Sequence, residues 1–214
     1  MNAVINVVFP VFGIILAGYF AGRYRILGQE SSEALNRFVY FFALPTLLFL
    51  GMARVPLAQV FNMPFIATFM GGVVIVYAIA IIVARFVFPD RLAVQGMGAL
   101  SATFSNSGYM GIPLFLTAFG AEGTLPAVIA TMLNGAVVIG ASVALIELSL
   151  GQAHGLGKAL ADVAKALIRN PLIIAPVTGL LWGALGVKLP ESVATFAQLL
   201  GASAGPCALF AIGL

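Results

Sequence analysis

Charged side chains are scarce in this sequence of 214 residues: Asp, Glu, Lys and Arg make up 8% of it, against 62% hydrophobic residues. So few charges could not keep that much apolar surface in water, which excludes a soluble globular domain and predicts an all-α polytopic membrane protein. The single cysteine, Cys207, excludes an internal disulfide. The net charge is only +3, and membrane proteins collect Lys and Arg in their cytoplasmic loops, so this charge does not indicate nucleic-acid binding.

Seven apolar segments are each close to the roughly 20 residues that a transmembrane helix needs. Asn62 before Pro64, and Asn170 before Pro171, are typical helix starts, with Asn as the N-cap and Pro in the first turn. Residues 156–169 place apolar side chains on one helical face and mostly basic ones on the other, which predicts a short amphipathic helix at the membrane surface. The predicted spans are 4–22, 36–53, 64–88, 95–119, 125–149, 171–187 and 193–214.

Basic residues are concentrated in the loops after the first, third and fifth predicted spans. Only Arg54 and Lys188 lie on the other side. Because Lys and Arg accumulate in cytoplasmic loops, the N-terminus is predicted to lie outside. The basic residues on the predicted cytoplasmic side are Arg23, Arg25, Arg37, Arg85, Arg91, Lys158, Lys165 and Arg169.

Asp, Glu, Lys, Arg and His are absent from the middle of the predicted spans. Glu147 is close to the cytoplasmic end of the fifth span, and the only histidine, His154, lies in a loop. No carboxylate proton relay can therefore be placed in these spans, and no membrane-embedded base could activate Ser105 or Ser107 for an enzymatic reaction. An inside-negative potential drives an anion outward by about 2.3 kcal/mol per charge per 100 mV, so export needs no coupling residue. We expect no cofactor, and the coupling ion, H⁺ or Na⁺, stays open.

The sequence repeats itself at an offset of 161 residues. Residues 8–53 and 169–214 align without gaps and share nine identities, where composition alone gives roughly four. An odd number of spans separates the copies, so the second enters from the opposite face, as in the inverted repeats of many secondary transporters. The identical pairs are Pro10/Pro171, Gly18/Gly179, Gly22/Gly183, Glu30/Glu191, Ser31/Ser192, Ala43/Ala204, Pro45/Pro206, Leu48/Leu209 and Phe49/Phe210.

This repeat predicts three parts of the chain. The first inverted repeat of five spans occupies residues 1–150, a cytoplasmic linker helix occupies 151–170, and a second repeat begins at 171–214. Completing the second copy requires roughly 100 further residues and about ten spans in all. We therefore expect the sequence to be truncated after its seventh span, and a natural reading frame that ends at Leu214 would contradict the repeat.

Residues 102–115, inside the fourth predicted span, cannot form a regular helix. Gly108 and Gly111 weaken it, and Pro113 lacks an N–H and crowds the carbonyl four residues back. We predict two half-helices with a polar joint at residues 105–108 near mid-depth, the second starting near Ile112 and Pro113. Unwound backbone is tolerated in hydrocarbon only beside protein or a watery cavity, so this broken, proline-interrupted span predicts a substrate site.

The start of the second half-helix carries a partial positive charge and N–H groups that suit a carboxylate or another anion. Asn106 has a donor and an acceptor, so it either binds a carboxylate oxygen or caps the freed backbone. Close packing against a crossing helix is an equal alternative for Gly108 and Gly111.

Two further polar residues in the predicted spans are candidate site residues. Asn134, in the fifth, either lines a transport path or makes an interhelical hydrogen bond, and the hydrogen bond is slightly favoured. Pro45-Thr46 in the second span recurs as Pro206-Cys207 in the seventh, which predicts paired kinks and a wall opposite the site. The full set of predicted substrate-binding residues is Asn106, Ser107, Gly108, Gly111, Ile112, Pro113, Asn134 and Thr46.

The run Asn-Ser-Gly-Tyr-Met-Gly-Ile-Pro-Leu at residues 106–114, with residues 41–49 and 169–172, resembles the auxin efflux carrier family. More narrowly, it is similar to bacterial members described as malonate or malate permeases, and the likeness covers the whole chain. The resemblance implies ten spans in two inverted repeats, a crossover asparagine at Asn106 and a crossing proline at Pro113. It further implies a bacterial inner (plasma) membrane location, a scaffold of spans one, two, six and seven that forms a homodimer through spans two and seven, and a moving transport domain.

The resulting functional prediction is a secondary transmembrane transporter for a small organic anion, such as a mono- or dicarboxylate, working by alternating access at the broken span. Its predicted partners are that anion and the lipid bilayer. One alternative is a sodium-coupled symporter of the bile acid:sodium symporter type, which shares the architecture. The other is a membrane scaffold or sensor that does not transport.

Overall fold

The computed structural model describes residues 2–55, 60, 62–87, 89, 92–149, 161, 164–165 and 167–214. Within these residues every regular element is a helix and no strand is present. The predicted all-α fold is therefore confirmed. Most of the predicted linker helix at 156–169 lies outside the described residues.

Ten α-helices and three wider π turns form the described part of the chain. The π turns are Val39–Ala43 between α2 and α3, Ser107–Gly111 directly before α6, and Asn134–Val138 between α6 and α7. The α-helices are α1 Asn2–Arg23, α2 Gln29–Phe38, α3 Leu44–Ala53, α4 Met63–Val87, α5 Leu92–Thr103, α6 Ile112–Leu133, α7 Ile139–Ser149, α8 Pro171–Ala184, α9 Glu191–Ala202 and α10 Ala204–Gly213.

Helix α6 contains the turn between the fourth and fifth predicted spans. Gly120 there has φ +67° and ψ −158°, a backbone conformation that is essentially restricted to glycine. The boundary predicted between residues 119 and 125 is therefore confirmed.

Five helical segments are long and apolar enough to cross a bilayer: Ile5–Arg23, Gln29–Ala53, Met63–Val87, Gly123–Leu145 and Glu191–Gly213. These segments confirm a polytopic membrane protein. The other two predicted spans look different, because the fourth is divided at residues 104–106 and the sixth, α8, has only 14 residues.

Both predicted helix starts are confirmed by their capping hydrogen bonds. The Asn62 Oδ1 accepts from the Phe65 N–H at 3.1 Å, and the Asn170 Oδ1 accepts from the Leu172 N–H at 2.9 Å. An asparagine side chain satisfies in this way one of the N–H groups that the first helical turn leaves without a carbonyl.

Large apolar side chains cover much of the outer surface. Phe86 is 82% exposed and Phe9 is 73% exposed, and none of the described residues of α4 is buried. Exposure on this scale would be unfavourable in water, whereas it is expected where side chains face lipid.

The chain divides into two compact units. Unit 1 consists of Met1–Val60, Asn106–Val128 and Ile174–Leu214, and unit 2 consists of Phe61–Ser105 and Ile129–Ile173. Unit 1 thus contains the predicted spans one, two and seven, most of span six and the second half of span four. Unit 2 contains span three, the first half of span four and most of span five. The three-part division by sequence repeat, with boundaries at residues 150 and 170, stays a prediction.

The helices of unit 1 approach one another closely at glycines that the repeat pairs. Gly18 of α1 lies against the carbonyl oxygen of Phe210 in α10. Gly179 of α8 lies against the carbonyl oxygen of Phe49 in α3. The two contacts are related by the repeat: at the offset of 161 residues, Gly18 corresponds to Gly179 and Phe49 corresponds to Phe210.

A second pair of contacts follows the same rule. A Cβ added to Gly22 would lie 2.9 Å from the Leu214 carbonyl oxygen, and one added to Gly183 would lie 3.2 Å from that of Ala53. Small residues let membrane helices approach this closely. The helix pairs α1/α10 and α3/α8 therefore use equivalent contacts within unit 1.

In unit 2, helix α5 packs against both α4 and α7. Ala99 of α5 is fully buried, and Gly96 lies close enough to α7 that an added Cβ would be 3.2 Å from the Leu145 Cβ. The first half of the broken span is thus held by its neighbours in this unit.

Candidate functional site

The fourth predicted span is interrupted at residues 104–106. Asn106 has φ −78° and ψ 50°, which is outside the helical region. The helix resumes directly afterwards, since the Asn106 carbonyl accepts from the N–H groups of Met110 and Gly111, each at 3.1 Å. The predicted joint at 105–108 is therefore confirmed at Ser105 and Asn106, whereas Ser107 and Gly108 already belong to the second half-helix.

The predicted start of that half-helix near Ile112 and Pro113 is wrong by about one turn, because the π turn Ser107–Gly111 precedes α6. The Ile112 N–H bonds to the Ser107 carbonyl, five residues back. A proline has no N–H and its ring crowds the preceding turn, and a wide turn directly before it accommodates both effects. Pro113 therefore lies inside the helix, after the break.

The same arrangement precedes Pro45 in span two. The π turn Val39–Ala43 ends two residues before this proline, and the Leu44 N–H bonds to the Val39 carbonyl. Helix α3 therefore continues through Pro45, as α6 does through Pro113. In span seven, by contrast, Ser203 interrupts the helix between α9 and α10, three residues before Pro206.

Asn106 is exposed, and its side chain makes no capping hydrogen bond to the turn that follows it. Capping was the alternative to substrate binding for this residue. Because the carboxamide does not cap the helix, it keeps the donor and acceptor that a carboxylate ligand would use. Substrate binding by Asn106 stays a prediction.

The three small residues of the π turn have different surroundings. Ser107 is half-buried and Gly108 is buried. A Cβ added to Gly111 would lie 3.5 Å from the Ser107 Cβ and 3.8 Å from the Asn106 carbonyl oxygen, which are ordinary van der Waals contacts. Close packing against a crossing helix, the structural alternative for Gly111, is therefore not seen in the described part of the chain.

Ile112 and Pro113 lie in the apolar interior of unit 1. Ile112 is 1% exposed, and a Cβ added to Gly205 of α10 would be 3.2 Å from the Cβ and Cγ of Pro113. A cavity of about 100 Å³ remains beside these residues. Its lining is Leu47, Ile112, Pro113, Leu116, Gly201, Ala202, Gly205, Pro206 and Leu209.

The contact of Gly205 with Pro113 was not predicted from the sequence. Gly201 and Gly205 are four residues apart in the sequence. Gly201 lies against the backbone of Leu47, and a Cβ added to Gly201 would be 3.1 Å from the Leu47 Cα. Two small residues at this spacing are typical of close helix crossings in membranes. The spacing of Gly201 and Gly205 is therefore the sequence feature from which this contact could have been predicted.

A line of polar groups connects the π turn to α2 and α10. The Tyr109 hydroxyl donates to the Asn36 carbonyl at 3.4 Å, and the Asn36 Nδ2 donates to the Ser32 carbonyl at 3.0 Å. The Ser32 hydroxyl donates to the Ala211 carbonyl at 3.3 Å. These contacts position the half-helix start within unit 1, and no sequence pattern pointed to them.

The remaining predicted site residues are Thr46 and Asn134. The Thr46 hydroxyl in unit 1 donates to the Phe42 carbonyl one turn back, at 2.7 Å. Asn134 in unit 2 is 1% exposed, and its Nδ2 donates to the Ser105 hydroxyl. The interhelical hydrogen bond favoured for Asn134 is therefore present. Of the eight predicted site residues, only Asn134 belongs to unit 2.

Unit 2 also contains buried polar residues that the sequence analysis did not single out. Tyr77 of α4 and Ser142 of α7 share a hydrogen bond of 2.9 Å between their hydroxyls. Ser142 is 1% exposed, and Gln95 of α5 is 5% exposed. With Asn134, Ser142 and Gln95 are the buried polar residues of the described part of unit 2.

An all-helical fold, long apolar helices and a span that breaks at an uncapped asparagine define a polytopic membrane protein of the transporter type. The chain belongs to the family described as "Membrane transport protein", whose model matches residues 3–155 and 156–214. This confirms the resemblance seen in the sequence, and the family is one of membrane transporters.

Three similar proteins illustrate the family. The chain is 27% identical over 214 residues to the "Putative malonate transporter" of Rhizobium meliloti (strain 1021), covering 100% of this chain and 67% of that protein. It is 27% identical over 210 residues to the "Uncharacterized transporter YfdV" of Escherichia coli (strain K12), covering 96% of this chain and 66% of that protein. It is 25% identical over 215 residues to the "Lysosomal cholesterol signaling protein" of Mus musculus, covering 95% of this chain and 24% of that protein. The chain thus spans about two thirds of the length of these bacterial relatives.

Proposed function

We propose that the full-length protein containing this chain is a secondary carrier for a small organic anion, a mono- or dicarboxylate. The observation that carries this proposal is the helix start at Ser107, directly after the exposed and uncapped Asn106. Family membership supports transport, and the name of the Rhizobium meliloti relative supports a dicarboxylate such as malonate.

The electrostatics of the helix start favour an anion. Its first N–H groups have no carbonyl within the helix, and the aligned peptide dipoles place about half an elementary positive charge there. The Asn106 amide adds a donor that can meet a carboxylate oxygen, and hydrogen bonds to a charged group are roughly twice as strong as neutral ones. No Lys or Arg occurs between residues 92 and 157. Neutral donors would therefore bind one carboxylate here, and the second charge of a dicarboxylate needs groups elsewhere.

The break also suits alternating access. It coincides with the point at which the chain passes from unit 2 to unit 1, between Ser105 and Asn106. A non-helical residue at such a point absorbs backbone rotation without loss of a helical hydrogen-bond ladder. The N-terminus outside, the bacterial plasma membrane and a homodimer through spans two and seven belong to the same proposal and are supported by the loop charges and the resemblance.

The test is uptake of radiolabelled malonate by proteoliposomes that contain the full-length protein, with and without an imposed potential and a sodium gradient. We expect Asn106→Ala to reduce kcat/KM for uptake by about tenfold or more, because a hydrogen bond to a charged group is lost. Asn62→Ala is the matched control, because it removes an asparagine whose side chain caps α4. It should leave KM unchanged.

Two outcomes would redirect the proposal. Uptake that requires sodium would favour the sodium-coupled symporter. Binding of labelled carboxylate without any uptake would favour the sensor, a candidate that the likeness to the mouse signalling protein supports. If neither binding nor uptake is found for any carboxylate tested, the carrier proposal fails.

A further inference from the structure

The two basic residues outside the predicted cytoplasmic side, Arg54 and Lys188, are far apart in sequence but line one cavity of unit 1. The cavity has a volume of about 390 Å³ and lies where α3 and α8 end. Its lining residues are Ala53, Arg54, Gly183, Gly186, Val187, Lys188, Leu189 and Ala194.

The walls of this cavity are well defined. Gly183 brings α8 against the end of α3, with 3.2 Å between an added Cβ and the Ala53 carbonyl oxygen. Gly186 reverses the chain after α8 with φ +67°. The Trp182 Nε1 then donates to the Val187 carbonyl at 2.9 Å, which fixes the residue before Lys188.

The Arg54 guanidinium is oriented by α9. With the Gln198 amide turned so that its oxygen faces the guanidinium, the Oε1 accepts from Nη2 at 2.9 Å and from Nη1 at 3.0 Å. A guanidinium has five N–H donors, so those that do not face Gln198 can donate to a ligand. In the described part of the chain, neither Arg54 nor Lys188 is within ion-pairing distance of a carboxylate.

Helix dipoles explain part of this charge but not all of it. The C-terminal ends of α3 and α8 carry about half a negative charge each, and basic residues are favourable there. Two full positive charges exceed that sum, so these two helix ends leave part of the positive charge of Arg54 and Lys188 unbalanced. A bound anion would balance it.

The surroundings indicate where the anion comes from. Leu181, Leu185 and Val187 beside the cavity are 63%, 70% and 56% exposed. A tryptophan next to such residues is typical of the interface between hydrocarbon and headgroups. Acyl chains can therefore lie along α8 while a phosphate group enters the cavity.

We propose that this cavity binds the phosphate of a lipid headgroup, with Arg54 and Lys188 as the anion-binding residues. The site is independent of the carrier function proposed above, since it lies at the ends of α3 and α8 and includes none of the predicted substrate-binding residues. The lipid would bridge the second and sixth predicted spans.

The experiment is native mass spectrometry of the full-length protein in detergent with added phosphatidylglycerol. Because Arg54 and Lys188 line the same cavity and can both donate charge-assisted hydrogen bonds to one phosphate, we expect Arg54→Gln combined with Lys188→Gln to weaken lipid binding about tenfold or more. The matched control, Arg85→Gln with Arg169→Gln, removes the same charge from two residues that do not line this cavity, so it should leave binding within about twofold of the parent. An equal loss in both double variants, or no loss in either, overturns the proposal.

Two additions keep the result decisive. Lys188 is exposed, so Lys188→Gln alone should fold normally and weaken binding in the same direction, even where the double variant is unstable. Thermal stabilisation by phosphatidylglycerol, absent with inorganic phosphate, supports the lipid. Stabilisation by inorganic phosphate without any effect of the lipid assigns the site to a free anion and overturns the lipid proposal.

Discussion

Asn134 donates a hydrogen bond from its carboxamide to the hydroxyl of Ser105, which is the last residue of unit 2 before the broken span continues as Asn106. The bond joins the π turn between α6 and α7 to the interruption that follows the first half-helix. It is therefore placed to hold Ser105 within the interruption, where the regular hydrogen-bond ladder of the backbone has already ended.

This bond predicts a measurable coupling between two substitutions. Asn134→Ala and Ser105→Ala should each destabilise the protein, and the double variant should lose less than the sum. The expected coupling is about 0.6 kcal/mol and at most about 1.7 kcal/mol, the range for interhelical hydrogen bonds in membranes. The coupling is obtained by comparing the free energies of reversible unfolding, in mixed micelles, of the parent protein, the two single variants and the double variant. Strict additivity would show that the bond contributes nothing.

The close approach of α1 to α10 predicts opposite effects of the same substitution at two glycines of one helix. Gly18→Ala should lower the apparent Tm strongly, because its Cβ would overlap the Phe210 carbonyl oxygen. At Gly13 no atom lies within 4 Å of an added Cβ. Gly13→Ala should therefore leave the stability of the protein unchanged or raise it by up to about 1 kcal/mol, because alanine favours the helix more than glycine does. Thermal melting in detergent compares them, and equal effects at both positions would contradict the described packing.

The repeat adds a third member to this comparison. Gly179→Ala should behave like Gly18→Ala, because Gly179 lies against the Phe49 carbonyl oxygen in the equivalent way. A mild effect at Gly179 beside a severe one at Gly18 would show that the two contacts are not equivalent.

Substitutions at two glycines near Pro113 separate packing from substrate contact. Gly111→Ala should leave stability nearly unchanged, because its Cβ meets only ordinary contacts at 3.5 and 3.8 Å. A rise in KM for malonate uptake would then report on substrate access rather than on folding. Gly205→Ala should instead lower the Tm, since a Cβ at 3.2 Å from Pro113 forces a buried proline to shift. A stable Gly205→Ala protein would contradict the tight crossing.

The kink in α6 predicts a cost of backbone strain. Gly120→Ala should destabilise by roughly 1–3 kcal/mol, because φ +67° with ψ −158° is a region that other residues rarely adopt. Gly98→Ala is the control: it lies inside α5 with no atom within 4 Å of the added Cβ. Apparent Tm values should fall for the first and hold or rise for the second, and the reverse order would place the turn elsewhere.

Sequence reasoning succeeded where the determining chemistry is local. The helix starts at Asn62 and Asn170 follow from an asparagine that can cap and a proline that needs no donor. The break near Ser105 and Asn106 follows from the glycines and proline that come after it. The class of protein follows from a composition that only a bilayer can accommodate.

Prediction from the sequence failed where the structure depends on whether a turn is α-helical or a wider π turn. It also failed where a contact joins residues that are distant in the sequence. A proline can end a helix or be absorbed by a wide turn, and local sequence does not decide between them, so Pro113 was placed at the break instead of after it. The bond from Tyr109 to the Asn36 carbonyl joins residues 73 positions apart, and no periodicity within either segment predicts it.

The π turn Ser107–Gly111 contains one residue more than an α-helical turn would need. Loss of a single codon there would let the helix close with its usual ladder, and the segment before it would rotate by about 100° around the axis. Asn106 would then face a different direction while Pro113 kept its neighbours. The orientation of the asparagine therefore depends on the length of this short stretch as much as on the identity of any residue within it.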